Sequence, residues 1–250
     1  MRSLSAALYS AIAYVIFLGA FLYAIAFVEN LPVPKTIDSG ESGNVLLSVI
    51  INAALLTVFA LQHSVMARPA FKRVWTRIIP AEAERSTYVL AASLALVLLY
   101  WQWRPLPDLA WSVTGPIGAS VLTAISWAGW AMVLVSTFLI SHFHLFGLSQ
   151  GFARLMNLKV PVAEFRTPLF YKWLRHPIYA GFILAFWAAP QMSWGHLLFA
   201  VAATGYIFVG IWLEERDLVA VFGDRYREYR RQVGMLLPKP GNGGRSRKVS

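Results

Sequence analysis

Long uncharged runs of apolar residues constrain the fold of this chain more than any other feature. The first run, residues 9–28, has about 20 residues, which as a helix would be about 30 Å long and would match the hydrocarbon core of a bilayer. Similar runs cover residues 44–67, 87–103, 109–141 and 178–213. Only 14% of the residues are charged, against about 25% in soluble domains. The sequence therefore predicts an all-α fold, a polytopic bundle of membrane-spanning helices.

The last run, residues 178–213, is long enough for two spans, and we expect a helical hairpin there. Its middle, residues 190–196, reads PQMSWGH, a set of turn formers and interfacial residues. Each arm would have about 16 residues, or about 24 Å of helix, which is short for a complete crossing. Six spans are therefore expected, with five spans and one re-entrant hairpin as the alternative.

The charges between the runs predict the orientation. Segment 29–44 has one basic residue against three acidic ones, whereas segment 68–85 has five basic residues and two acidic ones. Because loops rich in Lys and Arg remain in the cytoplasm, both termini are expected there. Residues 239–250, with their glycines and basic residues, are typical of a disordered basic tail. Residues 1–238 are expected to form one integral-membrane domain.

The composition excludes several kinds of chemistry. The chain has no cysteine, so disulfides, thiolate nucleophiles and Cys-ligated metal sites are excluded. His142 and His144 form an HxH pair, but no acidic residue lies nearby in sequence to complete a metal site, and no metal is expected. The net charge of +10 lies in blocks beside the apolar runs and not along one soluble face. The expected partner is therefore membrane lipid and not nucleic acid.

The segment RHPIYAG, residues 175–181, begins the predicted hairpin. Pro177 suits the first position of a helix, because its missing N–H would be unpaired there anyway. Arg175 and His176 would then lie just outside a helix N-terminus, where free N–H groups and the helix dipole favour an anion. We expect this end of the hairpin to bind a carboxylate or a phosphate.

Three acidic residues, Glu214, Glu215 and Asp217, follow the other end of the hairpin. Acidic residues beside a span oppose the positive-inside trend, which indicates a use such as binding a ligand cation. Pairing with Arg216 or Arg175 is the alternative. An anion site and a cation site separated by the width of a helix pair would suit a zwitterionic ligand with an amino-acid head.

The basic stretch of residues 222–231 reads FGDRYREYRR and has two interpretations. As an amphipathic helix rich in arginine, it would lie at the membrane interface. Tyr226 and Tyr229 are three residues apart and would share one helix face, so the stretch could instead fold back as a lid over a ligand. The spacing does not decide between them.

The motifs RHPIYAG, EERDL and FGDRYREY, with an uncharged hairpin between the first two and Pro238 after the last, resemble the isoprenylcysteine carboxyl methyltransferase superfamily of membrane enzymes. Upstream, the segments LQHSVMARPAFKRVWTRIIP, ERSTYVL, YWQWRP and HFHLFGLSQ resemble one branch, the bacterial methanethiol S-methyltransferases, which are similar to proteins named after NnrU. The likeness covers residues 52–238.

The resemblance implies S-adenosylmethionine (SAM) as the methyl donor. Its pocket would lie within residues 142–238, at the cytoplasmic face of a bacterial inner membrane. Carried over from the superfamily, the residues of this pocket would be Arg175, His176, Tyr179, Gly181, Glu214 and Glu215. The two glutamates would lie near the methionine amino group.

The same resemblance implies S-methylation of a small thiol, with methanethiol converted to dimethyl sulfide. A free thiol is mostly protonated at pH 7, because its pKa is near or above about 8.5, so a histidine could accept its proton. The candidate bases are His144 and His142, with His63 behind them. Polarity at a helix end is the alternative for His63.

Two other functions are compatible with the sequence. A membrane reductase of the sterol type has a similar hairpin but takes a hydride from NADPH, whose phosphates should favour arginines over acids in the pocket. Glu214 and Glu215 favour an ammonium group and therefore SAM. The likeness to NnrU also leaves a non-catalytic accessory protein of nitrogen-oxide metabolism as an alternative.

Overall fold

The computed structural model describes residues 2–153, 155–156, 165 and 167–239. Of the predicted tail, residues 239–250, only Lys239 is among them, and the rest of that prediction lies outside the described residues. The elements in chain order are α1 (Arg2–Val28), α2 (Val45–Ala67), α3 (Pro69–Trp75), α4 (Ala81–Gln102), β1 (Leu109–Ser112), α5 (Pro116–Ile140), α6 (His142–Leu145), α7 (Leu148–Ala153), a 3-10 turn (Leu169–Lys172), α8 (Pro177–Trp187), β2 (Gln191–Ser193), α9 (Trp194–Phe222) and α10 (Asp224–Gln232). The two short strands are minor, so the all-α prediction is confirmed.

Five of these helices, α1, α2, α4, α5 and α9, are long and apolar enough to cross a membrane. In α1, Leu8 and Ile12 are each more than half exposed, whereas Ala7, Ala13 and Ala20 are buried. Exposed apolar faces of this kind would be unfavourable in water and fit lipid, and small buried residues let neighbouring helices approach closely. The prediction of an integral membrane protein is confirmed.

Helices α5 and α8 cross backbone against backbone at Gly129 and Gly181. A Cβ at Gly129 would lie 2.6 Å from the carbonyl oxygen of Gly181, and a Cβ at Gly181 would lie 2.7 Å from that of Gly129. A side chain at either position would therefore push the helices apart. Packing alone explains Gly181, and its predicted role in cofactor binding stays a prediction.

The predicted hairpin is present, but its arms are unequal. Helix α8 has 11 residues, or about 16 Å, whereas α9 has 29, or about 44 Å. The prediction of two similar arms is wrong because residues 188–193 leave helical geometry where β2 pairs antiparallel with β1. Helix α9 begins at Trp194, where the Ser193 hydroxyl accepts a hydrogen bond from the His196 backbone N–H. It continues past the acidic residues instead of ending before them.

The hairpin reaches both ends of the bundle. At one end β2 lies beside β1, next to a buried core in which the Trp103 indole donates to the carbonyl of Ile37 at 3.0 Å. At the other end Glu215 of α9 contacts His176, just before α8. Helix α8 and residues 188–193 together therefore extend along the bundle axis about as far as most of α9 does. Among the described residues, five long helices and the shorter segment of α8 with residues 188–193 run between the two ends of the bundle.

Candidate active site

The two ends of the hairpin meet in one ion-pair cluster. The Nε of Arg175 lies 2.7 Å from Oε1 of Glu215, and the Nε2 of His176 lies 3.1 Å from the same oxygen. The side chains of Arg175 and Glu215 are each 8% exposed. Arg175 and Glu215 therefore neutralise each other and do not form separate anion and cation sites, and the binding of a zwitterion at the hairpin ends stays a prediction. Pairing with Arg175, the alternative, is what Glu215 does.

Arg175 also fixes the C-terminal segment against the hairpin. Its Nη1 donates to the carbonyl oxygens of Arg230 and Val233, each at 2.9 Å. Its backbone N–H donates to the carbonyl oxygen of Gly234 at 2.8 Å. The Nε of Arg230 lies 3.1 Å from Oε2 of Glu215. Both oxygens of the Glu215 carboxylate therefore have partners in the fold, and its role in cofactor binding stays a prediction.

The basic C-terminal stretch folds back over the hairpin, and its role as a lid over a ligand stays a prediction. Tyr226 of α10 is 2% exposed, and the Tyr229 hydroxyl donates to the carbonyl of Tyr171 at 2.6 Å. Phe165 packs edge-on against both Tyr226 and Tyr229. Helix α10 therefore lies across the hairpin ends in the position of a lid.

Glu214 differs from its neighbour Glu215 because its side chain is 45% exposed. Its Oε2 accepts a hydrogen bond from the Tyr179 hydroxyl at 2.9 Å and lies 3.8 Å from Nδ1 of His176. Burial, and next the charge of Glu214, raise the pKa of Tyr171, so this phenol stays neutral near Glu214. A half-exposed carboxylate with free lone pairs is suited to an ammonium group.

Asp217, the third acidic residue of the motif, serves a different contact. Its Oδ2 lies 2.9 Å from Nη1 of Arg68, which follows α2. This pair joins the end of α2 to α9. Asp217 is therefore occupied by the fold and is a poor candidate for a ligand group.

An open pocket of about 430 Å³ lies beside the ion-pair cluster, lined by the basic side chains of Arg175, Arg227, Arg230, Arg231 and Lys239. Guanidinium and ammonium groups in such a pocket suit a carboxylate or a phosphate. Most of these side chains belong to the C-terminal segment, whereas the sequence predicts an anion site at the N-terminus of α8. The signal in the sequence was the spacing of the arginines within residues 225–231.

His142 is buried, and both of its ring nitrogens have partners. Its Nδ1 lies 2.8 Å from the Thr137 hydroxyl, its Nε2 lies 2.9 Å from the Tyr14 hydroxyl, and its ring stacks on Phe138. Burial lowers the pKa of His142. These contacts join α1, α5 and α6, so the geometry favours a packing role over the predicted role as a base.

His144 is half-buried and lies near Arg85. Burial, and next the charge of Arg85, lower the pKa of His144, which favours the neutral imidazole. The Nε of Arg85 donates to the carbonyl of Leu145 at 2.6 Å. Among the described residues no group of three or more His, Asp or Glu side chains is arranged to bind a metal ion. The role of His144 as the base stays a prediction.

His63 lies in a polar cluster between α2, α4 and α9. The Tyr88 hydroxyl lies 2.7 Å from its Nε2 and 3.1 Å from its Nδ1, Phe59 stacks on its ring, and Tyr206 contacts the ring edge-on. The Ser64 hydroxyl donates to that of Tyr206 at 3.2 Å. Tyr88 and Tyr206 were not among the predicted site residues. Polar residues within apolar spans are the signal that indicates them.

The predicted site residues therefore fall into several groups. One cluster contains Arg175, His176, Tyr179, Glu214 and Glu215. Gly181 lies at the crossing of α5 and α8, His142 packs against α1 and α5, and His63 lies against α4 and α9.

No family model matches the chain, and no solved structure matches it. Among curated proteins, Methanethiol S-methyltransferase of Mycobacterium tuberculosis is 54% identical over 233 residues, which cover 93% of this chain and 96% of that protein. Methanethiol S-methyltransferase 1 of Bradyrhizobium diazoefficiens is 56% identical over 92% of this chain and 81% of that protein. Nurim of Rattus norvegicus is more distant, with 29% identity over 81% of this chain and 78% of that protein. The first two likenesses extend over nearly the whole chain.

Proposed function

Because this chain belongs to the methanethiol S-methyltransferase family, we propose that it transfers a methyl group from SAM to the sulfur of methanethiol and so forms dimethyl sulfide. The observation that carries this proposal is the 54% identity to a relative of that name over 96% of the relative's length. SAM as the donor is supported by the charges at the hairpin ends.

SAM supplies an electrophilic methyl group on a positively charged sulfonium. In the transfer the thiol sulfur bonds to the methyl carbon, the bond from that carbon to the donor sulfur breaks with its electron pair staying on the donor, and the thiol proton passes to a base. The products are dimethyl sulfide, the uncharged thioether of the donor and a protonated base, so charge is conserved. The protein must therefore bind the donor, align the thiol and accept one proton.

The hairpin ends fit the amino-acid head of SAM. The half-exposed carboxylate of Glu214 suits the ammonium group, and the basic pocket beside it suits the carboxylate. The Tyr171 hydroxyl is buried without a hydrogen-bond partner among the described residues. Such a hydroxyl is costly unless a ligand or a water binds it, so it is a third group available to the donor. Glu215 would act indirectly, by holding Arg175 and Arg230 in place beside the pocket.

A neutral histidine is the proposed base. His144 has its neutral form favoured by burial and by Arg85, which lower its pKa, and His63 has Tyr88 as its partner. His142 would have to give up one of its two hydrogen bonds to act. A general base contributes about 10² to 10⁴-fold, or about 3 to 5 kcal/mol, whereas alignment contributes about 7 to 11 kcal/mol. Loss of a donor-binding residue should therefore lower the rate more than loss of any one histidine.

The proposed location of the site is the cytoplasmic face of a bacterial inner membrane, with both termini on that side. The segments that form the hairpin ends and α10 are rich in Arg and Lys, as loops on the cytoplasmic side are. Methanethiol is small and apolar, so it can reach a site between the helices through the lipid.

A nucleotide cofactor such as NADPH has one observation in its favour, the five basic side chains around the pocket. A reductase of the sterol type would use such side chains for phosphates. Binding of labelled SAM in competition with NADPH separates the two functions. A non-catalytic accessory protein would bind neither.

The proposal predicts that membranes containing this chain, given methyl-labelled SAM and methanethiol, release labelled dimethyl sulfide into the headspace. Glu214→Gln removes the proposed ammonium partner and keeps the side-chain size. Because a hydrogen bond to a charged group contributes about 1.5 to 3 kcal/mol and Glu214 is half-exposed, SAM binding in equilibrium dialysis should weaken by about tenfold. Glu41→Gln, an exposed position at the opposite end of the bundle, is the matched control. A wild-type chain that binds no SAM, or forms no labelled product, would contradict the proposal.

A further inference from the structure

We propose that the thiol binds beside Gly210 of α9, between Tyr179 and the cluster of His63, Tyr88 and Tyr206, and that Gly210 limits the size of the thiol. This inference rests on the proposed function. It goes further by assigning the acceptor pocket to particular residues, three of which carry no predicted role from the sequence.

Tyr206, Gly210 and Glu214 form one stripe along α9. They are four residues apart, so they lie on the same helix face, and each step is about 6 Å along the axis. At one end Tyr206 accepts a hydrogen bond from Ser64 of α2. At the other end Glu214 accepts one from Tyr179 of α8. The stripe therefore joins the proposed donor site to the His63 cluster.

Gly210 is a glycine that packing does not explain. A Cβ there would have only the Tyr179 hydroxyl within 4 Å, at 3.8 Å, which is ordinary contact. A Cβ at Gly129 or Gly181 would instead lie under 3 Å from backbone atoms. Glycine inside a helix costs about 1 kcal/mol relative to alanine. Apart from the Tyr179 hydroxyl, no side chain or other element of the described residues lies within 4 Å of that Cβ position, so the stripe leaves room for a small group beside Gly210.

The cluster at the Tyr206 end is polar although its residues lie on membrane-spanning helices. Tyr88 is 7% exposed, and its hydroxyl lies 2.7 Å from Nε2 of His63. Polar groups in spans are costly in lipid and mark functional sites. His63 is placed to accept the thiol proton, and Tyr88 is a positioning residue, because its hydrogen bond orients the imidazole.

The separation along the stripe suits one transfer step. The amino group and the sulfonium of SAM are separated by three carbon atoms, a length comparable to the step of about 6 Å between Glu214 and Gly210. A thiol beside Gly210 would then have the donor on its Glu214 side and His63 on its other side. The proton acceptor and the methyl donor would thus face opposite sides of the sulfur.

Substitutions at Gly210 test the pocket without disturbing the donor's charged partners. Gly210→Ala adds one methyl group in ordinary contact with Tyr179 and should lower kcat/KM for methanethiol by about tenfold, the usual effect of one methyl in a fitted pocket. The loss should be larger for ethanethiol, and larger still in Gly210→Leu. SAM binding by equilibrium dialysis should match the wild type in both variants. Gly205→Ala is the control, since Gly205 is exposed on the same helix with nothing within 4 Å of its Cβ.

Tyr88→Phe tests the positioning role separately. It should shift the acid limb of the pH profile of kcat/KM for the thiol and leave SAM binding unchanged, a result that a mere packing role would not give. If the Gly210 variants had the same kcat/KM for both thiols as Gly205→Ala, the proposed thiol pocket would be wrong. Loss of SAM binding in Gly210→Leu would assign the space to the donor and also overturn it. Failure of the proposed function is distinguishable, because the wild-type chain itself would then bind no SAM or form no product.

Discussion

At the scale of single residues, Glu214 and Glu215 show how adjacent residues of one motif acquire different tasks. Glu215 is 8% exposed and bonded to Arg175, whereas Glu214 is 45% exposed. The sequence predicted that the acidic residues matter, because acids beside a span are unfavourable without a partner. It could not show which of the two is buried in an ion pair and which stays half-exposed, because that depends on an arginine 40 positions away.

His142 should make the stability of the protein depend on pH. Burial lowers its pKa in the folded state below the ordinary value of about 6.5, so the unfolded chain binds the proton more readily. Stability is therefore unaffected above about pH 6.5 and decreases as the pH falls below it. The expected result is a melting temperature in detergent that falls from about pH 6.5 to about pH 5.

The pKa of His144 is lowered too, so His144 also makes the protein less stable as the pH falls. His142→Asn and His144→Asn, measured singly and together, separate the two contributions. A pH dependence as steep in the double variant as in the wild type would assign the effect to other groups.

At the scale of elements, the sequence predicted the spans better than the way they join. The run 44–67 agrees with α2, Val45–Ala67, because a bilayer requires about 20 apolar residues in succession. The short α8 depends on the pairing of β1 with β2, which are about 80 residues apart in sequence. The folded-back α10 depends in the same way on Arg175. Contacts between distant segments are what periodicity and composition do not show.

Glu215→Gln should release α10 from the hairpin. The change leaves Arg175 buried without its anion, and breaking a buried ion pair from one side costs about 3 to 5 kcal/mol. The free-energy cost of losing the contact with Arg230 is smaller, because the Arg230 side chain is 45% exposed and solvent screens its charge. A lower melting temperature and faster proteolysis within residues 223–239 are expected.

Glu214→Gln is the matched comparison, because it should weaken SAM binding without either of these changes. If both variants were cleaved at the wild-type rate, the carboxylate of Glu215 would not be what fixes α10. If both variants were cleaved faster than the wild type and at the same rate, the two glutamates would not have separate tasks.

At the scale of the whole molecule, the fold separates an end rich in arginine from an end at which Asp38 contacts Ser193 of β2. The ion-pair cluster, the basic pocket and α10 lie at one end, and the sheet of β1 and β2 lies at the other. Both termini on one side of the membrane, as proposed, require an even number of crossings. The five long helices would place the termini on opposite sides, so the proposed orientation depends on a sixth crossing made by α8 with residues 188–193.

This topology can be tested with single cysteines, because the chain has none of its own. Ser112→Cys places a thiol on the exposed end of β1, and Glu228→Cys places one on α10, where the glutamate is 45% exposed. If both termini and the site face the cytoplasm, a membrane-impermeant maleimide should label Ser112→Cys only in right-side-out vesicles and Glu228→Cys only in inside-out vesicles. Labelling of both from one side would contradict the six passes. The reversed pattern would place the donor site away from the cytoplasm and would contradict the proposed location, since basic loops would then lie on the side they normally avoid.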